Sequence, residues 1–211
     1  MGPGNQYVTE AKRQSYGFVD IDMVAGPSEV AIIADASANP DYITCDLLAQ
    51  AEHFGGIDYL ITNSKRIVES LRRRVDSGYI IQVKSLQEAC EVVNEIGPEH
   101  LEIMTEEPYK LLKQIHHAGA IFIGDYTPAV VGDYVAGPSH VLPTGGTARF
   151  FSPLSSSTFI KSTQVIEYSK EALKKMRENV QKLTEIEGLV LHRISLETRF
   201  VEKKESVKET Q

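Results

Sequence analysis

The stretch VAIIA, residues 30–34, is an unbroken apolar run, and it decides the fold class. A run of this length and composition predicts a strand that is buried on both faces of a sheet. Asn39-Pro40 follows, and it predicts a turn into a helix because proline suits the first helical position. That helix runs through His53 and stops at Gly55-Gly56. A buried strand followed directly by a helix is the repeating unit of a parallel α/β sheet.

The same unit recurs along the chain. Apolar runs predict further strands at 59–62, 79–83, 101–104 and 120–123, and helical spacing predicts helices at 8–14, 66–75, 86–96, 108–117 and 170–186. Ser85 and Glu88 have the spacing of a capping box at the start of the 86–96 helix. This alternation predicts a mostly parallel, incomplete Rossmann-like sheet flanked by helices. Ligands of such sheets usually bind at the carboxyl ends of the strands, so we expect the site there.

The pattern changes after the fifth predicted strand. Residues 127–153 are rich in Gly and Pro with little periodicity, which predicts a long functional loop. The helix at 170–186 has a thin apolar stripe, so we expect the tail to pack on a partner subunit. The last ten residues or so are charged, and we expect them to be disordered. The predicted divisions are a remnant of a preceding domain at 1–27, an α/β domain with the metal and catalytic residues at 28–154, and a helical tail at 155–211.

Composition narrows the class of protein. The 211 residues are 42% hydrophobic and 24% charged, as in ordinary globular proteins, and the formal net charge of −7 argues against a nucleic-acid partner. We find neither an apolar run long enough to cross a bilayer nor a signal-peptide pattern, so no membrane partner is expected. Two cysteines do not make a disulfide framework, and the expected location is cytoplasmic.

The predicted helix that runs through His53 carries several polar residues on one face of its last turns. Gln50 and His53 are three residues apart, and Asp46 lies on the same stripe. An imidazole, an amide oxygen and a carboxylate can together hold a divalent cation. Taken by itself, the stretch favours a helix end whose polar side faces water. The metal interpretation gains weight only from Asp133 and the later histidines.

Other residue pairs suggest chemistry. Glu99-His100 places a carboxylate beside an imidazole, which suits proton transfer, although a solvated turn would look the same. Asp133 and His140 flank Gly137-Pro138 in the long loop, so the chain can fold back between them. Glu187 and His192 lie at the end of the last predicted helix, where an ordinary surface pair is the alternative. Neither a GxGxxG fingerprint nor a Walker A pattern occurs in the sequence, so we expect no self-contained phosphate cradle.

Seven blocks of sequence, in one order from Gly2 to Phe200, resemble histidinol dehydrogenase. They are GPGN with VTEAK (2–5 and 8–12), IDM (21–23), AGPSEV (25–30), DLLAQAEH (46–53), GPEHL (97–101), GDY (132–134) and HVLPTGG (140–146). The resemblance implies a zinc-dependent oxidoreductase of histidine biosynthesis, a branch of amino-acid biosynthesis. Such an enzyme oxidises L-histidinol through L-histidinal to L-histidine with two NAD⁺.

The resemblance also implies roles for individual residues. Zinc would be held by Gln50, His53, Asp133 and His192, the last supplied by the other subunit of a homodimer. Glu99 and His100 match the catalytic pair: His100 would take the alcohol proton, and Glu99 would activate the water that adds to the aldehyde. The implied substrate contacts are Ser28, His140, Glu187 (also across the dimer interface), His100 and the four metal ligands, and the implied cofactor contact is Asn5. Asp46 receives no ligand role, and we expect it to orient His53.

Two departures from the family pattern leave alternatives open. The chain begins about halfway through the family's sequence, and the segment between Leu71 and Tyr79 is short, which should remove a helix. We therefore expect the carboxyl-terminal half of the enzyme, active with a separate amino-terminal half. The first alternative is a catalytically inactive zinc-binding or dimerisation fragment. A weaker one is a metal hydrolase in which Glu99 activates water.

Overall fold

The computed structural model describes residues 1–2, 4–76 and 78–201. The chain divides into two compact units, Met1–Ile160 and Lys161–Gln211. Residues 1–27 group with the sheet in the first unit, and the division falls a few residues after the predicted boundary at 154/155. The predicted disorder at 202–211 lies outside the described residues. None of the described helices is both long and apolar enough to cross a membrane.

A five-stranded, fully parallel sheet forms the centre of the first unit, with the order β3-β2-β1-β4-β5. The strands are β1 (Glu29–Ala34), β2 (Ile57–Thr62), β3 (Tyr79–Gln82), β4 (His100–Met104) and β5 (Ala120–Ile123). Every residue of β1 is buried, as the apolar run predicts. The predicted α/β class and parallel sheet are confirmed, including all five strands.

Helices cover both faces of this sheet. The helices of the first unit are α1 (Gln6–Ser15), α2 (Pro40–Ala51), α3 (Lys65–Leu71), α4 (Leu86–Ile96), α5 (Pro108–Leu112) and α6 (Ala129–Tyr134). Side chains alternate along β1, so Ile32 packs with Leu47 of α2 and Ile67 of α3, whereas Ile33 packs with Val93 of α4 and Leu111 of α5. The core is therefore two apolar layers, one on each side of β1.

Helix boundaries follow local hydrogen bonds. The Oδ1 atom of Asn39 accepts the N–H of Asp41 at 2.9 Å and caps α2. Ser85 caps α4, but the predicted capping box forms only in part because Glu88 accepts the N–H of Lys84. The prediction that the fifth helix reaches His117 is wrong. The side chain of Asn94 accepts the N–H groups of both residues 116 and 117, which draws the chain out of the helix toward β5.

The predicted long loop contains ordered structure. α6 occupies Ala129–Tyr134, and a 3-10 turn occupies Thr147–Arg149. The sequence VVGD within α6 combines β-branched residues with glycine, so helical periodicity does not reveal it. The predicted loop at 127–153 therefore contains a helix and a 3-10 turn that the sequence pattern did not indicate, and α6 carries Asp133.

The second unit contains two helices, α7 (Lys170–Ile186) and α8 (Val190–Glu197). The guanidinium of Arg177 in α7 pairs with Glu197 of α8 and lies 4.9 Å from the centroid of the Phe200 ring. Many apolar side chains of both helices are exposed: Leu183, Ile186, Val190, Leu191 and Ile194. These helices bury little apolar surface between themselves, as the thin stripe predicts.

Candidate functional site

The site residues of the first unit gather at the amino edge of the sheet. Ser28 directly precedes β1 and Glu99 directly precedes β4, and these strands pair with Val30 opposite His100. The expectation that the site lies at the carboxyl ends of the strands is wrong. The helix α2 runs back from the carboxyl edge, so its last turn, with Gln50, ends near the start of β2.

Glu99 is buried and held by two donors from the start of β1. Its Oε2 accepts the hydroxyl of Ser28 at 2.7 Å and the main-chain N–H of Glu29 at 3.0 Å. Two donors to one oxygen hold the carboxyl group in a single orientation. Ser28 therefore orients Glu99, a contact that the sequence did not suggest.

His100 is 4% exposed and has its tautomer set by a main-chain contact. Its Nδ1 lies 3.1 Å from the carbonyl oxygen of Glu29, which can only accept a hydrogen bond, so Nδ1 carries the proton. Nε2 then bears the lone pair and has no hydrogen-bond partner among the described residues; Oδ1 of Asp133 lies 3.5 Å away. A buried imidazole with a free Nε2 is suited to accept a proton.

Two of the cavities that His100 lines contain most of the predicted site residues. One, of about 500 Å³, is lined by Ser28, His53, Glu99, His100, Asp133 and His140, together with Gly2, Gly4, Ala25 and Gly26. The other, of about 350 Å³, is lined by Gln50 and by His53, His100 and Asp133 again. The structure thus brings together seven predicted residues from five separate segments of the first unit.

The predicted metal ligands of this unit share the smaller cavity. Gln50 is buried and its side-chain Nε2 has no partner among the described residues. A half-turn of the amide would place its oxygen there instead, which suits a cation. Within the described ranges, no three His, Cys, Asp or Glu side chains converge closely enough to hold a metal ion. The residues present therefore fit a cation only with the Gln50 amide and a ligand from elsewhere.

Gly56 fixes the position of Gln50. A Cβ atom at residue 56 would lie 2.6 Å from the main-chain oxygen of Gln50 and 3.1 Å from its Nε2. Only glycine allows this approach without displacing the end of α2. The neighbouring Gly55 has a φ of 71° and open space around its Cα, so the two glycines serve different purposes.

Three of the predicted site residues do not line these two cavities. The side chain of Asn5 caps α1 by accepting the N–H groups of Tyr7 and Val8. Glu187 ends α7 and His192 lies on α8, and both are exposed in the second unit. The cofactor contact of Asn5 and the contributions of Glu187 and His192 to the site stay predictions.

Glu29 and Thr144 hold the loop that carries His140, and the sequence did not single them out. The Oε2 of Glu29 accepts the N–H of Gly145 at 3.2 Å, and the hydroxyl of Thr144 accepts the N–H of Gly26. Burial raises the pKa of Glu29. A charged residue at the first position of a fully buried strand is the signal that could have identified Glu29.

Asp46 contacts another carboxyl group instead of His53. It lies against Glu102 of β4, and no hydrogen bond joins it to His53 in the described part of the chain. Burial, and the charge of Asp46, raise the pKa of Glu102 to about 8; burial raises that of Asp46 to about 6. The expected role of Asp46 as a partner of His53 is corrected. Glu102, a carboxylate between two apolar strand residues, was the missed signal.

Comparison with known proteins agrees with the sequence blocks. A sequence model of the family described as histidinol dehydrogenase matches residues 1–200. The chain is 48% identical to the histidinol dehydrogenase of Heliobacterium mobile over 94% of this chain and 51% of that protein, and 44% identical to that of Bacillus cereus over 97% and 52%. A crystal structure of histidinol dehydrogenase from Elizabethkingia anophelis superposes with a TM-score of 0.86 at 34% identity, over 94% of this chain and 50% of that one. The chain thus spans about half the length of these relatives.

Proposed function

Because the chain belongs to the histidinol dehydrogenase family, we propose that it supplies the zinc-binding and catalytic part of an enzyme that oxidises L-histidinol to L-histidine with NAD⁺. The observation that carries this proposal is the unpaired Nε2 of His100, which faces the cavity beside the buried carboxylate of Glu99. A residue that can act as a base and a residue that can activate water stand next to each other in the chain. This arrangement suits an enzyme that oxidises an alcohol in two steps.

The cavity matches the size and polarity of the substrate. L-histidinol carries an amine, an imidazole and a hydroxyl, and about 500 Å³ accommodates such a molecule. Asp133 and the imidazoles of His53 and His140 line it, while Ser28 fixes Glu99 at its wall. The exposed Glu187 would pair with the substrate ammonium or imidazolium.

Gln50, His53 and Asp133 would hold the zinc ion, with His192 of a second copy as the fourth ligand. Zinc at this place, when bound, would fix the substrate through its nitrogen atoms and so favour the reacting geometry. The unpaired amide of Gln50 supports this assignment, and so does the cavity that Gln50 shares with His53 and Asp133.

The first oxidation would use His100 as the base. Its Nε2 would accept the hydroxyl proton as the alcohol is oxidised to the aldehyde, and NAD⁺, when bound, would supply the hydride acceptor. The hydrogen bond from Nδ1 to the oxygen of Glu29 holds the ring in place, and it supports the imidazolium that forms. Burial of His100 excludes bulk water from the proton transfer.

The second oxidation would use Glu99. Its carboxylate would accept a proton from the water that adds to the aldehyde, and a second NAD⁺, when bound, would supply the acceptor for the second hydride. Ser28 and the N–H of Glu29 occupy one oxygen, Oε2, so Oε1 is the atom that takes the proton. Oxygen from water thereby becomes part of the product carboxylate.

The cofactor contacts are proposed to come mainly from a separate amino-terminal half, with Asn5 as a contact from this chain. The sequence contains no glycine-rich phosphate fingerprint of its own. A homodimer would bring Glu187 and His192 of one copy to the cavity of the other. The exposed apolar residues of α7 and α8 support such pairing, since they need a surface to cover them.

Mixing the two halves tests the proposal. The chain is combined with a separately expressed amino-terminal half of a relative, zinc and L-histidinol, and NADH absorbance is followed. We expect NADH from the mixture and from a mixture with His116→Asn, a matched change of an exposed histidine away from the cavities. A mixture of two soluble halves that forms no NADH would contradict the enzymatic proposal.

A second candidate is a catalytically inactive zinc-binding or dimerisation fragment. It is favoured by one observation, that the chain covers about half of each relative. It predicts that the chain binds zinc and forms dimers while the mixture with an amino-terminal half stays without NADH. The same experiment therefore separates the two candidates.

A further inference from the structure

Glu102 is a buried carboxyl group in the middle of the sheet. It lies on β4, two residues after His100, and is 1% exposed. Residues two apart on a strand share a face, so both side chains point to the α2 side of the sheet. A carboxyl group in such a place is costly unless hydrogen bonds compensate for the lost water. The groups that contact its two oxygen atoms therefore decide what this residue does in the fold.

One oxygen of Glu102 binds the start of α6. Oε1 accepts the N–H of Ala129, the first residue of that helix, at 2.6 Å. Four residues later the same helix carries Asp133, whose Oδ1 lies 3.5 Å from Nε2 of His100. Two residues on one face of β4 thus contact the two ends of α6, so Glu102 sets where Asp133 lies relative to His100.

The other oxygen of Glu102 faces α2. The carboxyl of Asp46 lies beside it, and Oε2 accepts no hydrogen bond from the described residues. Two neighbouring buried carboxyl groups are stable when one of them holds a proton, and the raised pKa of Glu102 agrees with a protonated acid. Asp46 precedes Gln50 by one helical turn, so Glu102 lies beside the helix that carries this predicted zinc ligand and that ends just before His53.

We propose that Glu102 is a positioning residue that joins β4, α6 and α2, and so holds Asp133, Gln50 and His53 at the separations that one metal ion needs beside His100. This inference rests on the proposed function only for the identity of the metal. We assign Glu102 no ligand role, because Oε1 accepts the N–H of Ala129 and Oε2 faces the carboxyl of Asp46.

Glutamine at this position is the conservative replacement. Its amide oxygen accepts the N–H of Ala129 and its amide nitrogen donates to Asp46, as the protonated acid does. Leucine has a similar size and makes neither contact. If Glu102 acts through its hydrogen bonds, Glu102→Gln preserves the site and Glu102→Leu loses it. If the position needs only bulk, the two variants behave alike.

The experiment uses the 211-residue chain. Zinc affinity is measured by competition with a chromophoric chelator, and amide hydrogen exchange is measured in residues 129–134. We expect Glu102→Leu to weaken zinc binding about 10- to 100-fold, the usual range for residues that orient metal ligands. Exchange in α6 should quicken in the same variant. We expect Glu102→Gln to match the wild type in both measurements, as should Glu91→Leu, a change of an exposed residue in α4 on the opposite face of the sheet.

A second variant covers the case in which Glu102→Leu does not fold. Asp46 is only half-buried, so Asp46→Leu removes the contact between Glu102 and α2 at a less sensitive place. Asp46→Asn keeps a side-chain oxygen that can accept a hydrogen bond from the protonated Glu102. We expect weaker zinc binding from the leucine variant and near-normal binding from the asparagine variant. Thermal unfolding of the metal-free chain reports whether each variant is folded.

The possible failures are distinguishable. A wild-type chain that binds no zinc argues against the proposed function, while exchange in residues 129–134 still tests the role of Glu102. The inference is overturned if Glu102→Leu leaves α6 exchange at the level of Glu91→Leu. It is also overturned if Glu102→Gln loses as much zinc affinity as Glu102→Leu.

Discussion

The Nδ1 atom of His100 lies 3.1 Å from the main-chain oxygen of Glu29, across the pairing of β1 with β4. The contact joins two segments far apart in the sequence, and it determines which imidazole nitrogen is free. The free nitrogen, Nε2, faces Asp133 and the cavity. The acid–base chemistry of the site thus depends on a main-chain atom whose position only strand register provides.

Replacing His100 with glutamine tests its role as base. We expect kcat in the reconstituted enzyme to fall about 10²- to 10⁴-fold, the usual contribution of a positioned base, with a smaller change in KM. Initial rates of NADH formation over a range of L-histidinol concentrations measure both constants. The matched His116→Asn variant should keep the wild-type values. An unchanged kcat in His100→Gln would assign proton removal to another group.

Replacing Glu99 with glutamine separates the two oxidations. The amide still accepts the hydrogen bonds of Ser28 and of the Glu29 N–H, so the pocket should keep its shape. Without a carboxylate to take the proton from water, we expect the aldehyde step to slow about 10²-fold or more and the alcohol step to slow less. Single-turnover assays that start from L-histidinol and from L-histidinal measure the two steps. Equal slowing of both would contradict the division of labour between Glu99 and His100.

The close approach at Gly56 predicts a specific loss of metal affinity. In Gly56→Ala the added Cβ would meet the main chain of Gln50 at 2.6 Å, so we expect α2 to shift at its end and zinc affinity to fall about 10-fold. Gly55→Ala is the control, because its Cβ meets no atom within 4 Å and only its left-handed backbone is strained. That control should lose about 1 kcal/mol of stability with zinc affinity unchanged. Equal zinc affinities in the two variants would show that Gln50 adjusts freely.

The Asp46–Glu102 pair predicts how stability changes with pH. Both carboxyl pKa values are raised, from 3.8 to about 6 for Asp46 and from 4.5 to about 8 for Glu102. Between the unfolded and folded pKa values the folded state holds protons that the unfolded state has lost. The free energy of unfolding should therefore fall as pH rises toward 8, by roughly 1–3 kcal/mol once the partial exposure of Asp46 is considered.

Denaturant unfolding of the metal-free chain at pH 5 and pH 8 measures this change, with Glu102→Gln as the comparison. The variant should show a flatter pH dependence, since glutamine does not titrate. Asp22 and Asp35 have lowered pKa values, so they stabilise the fold above about pH 4 and lose that effect below it, outside the measured window. Parallel pH profiles for wild type and variant would mean that Glu102 titrates normally.

Local patterns predicted the elements because short-range physics decides them. The apolar run at β1, the Asn39-Pro40 start of α2 and the strand at 120–123 all depend on a few adjacent residues, and the structure has each of them. Errors occurred where a distant side chain intervened. Asn94 ends α5 early by binding the N–H groups of residues 116 and 117, and no pattern within 108–117 reveals that.

The sequence by itself determined the alternating α/β plan, the family and the candidate residues, since apolar periodicity and motif order are properties of the linear chain. Only the tertiary structure decided that the site lies at the amino edge of the sheet, that Glu29 sets the tautomer of His100, and that Glu102 faces Asp46. The physical reason is that hydrogen bonds and burial depend on distances between segments, which strand order and register create when the sheet forms.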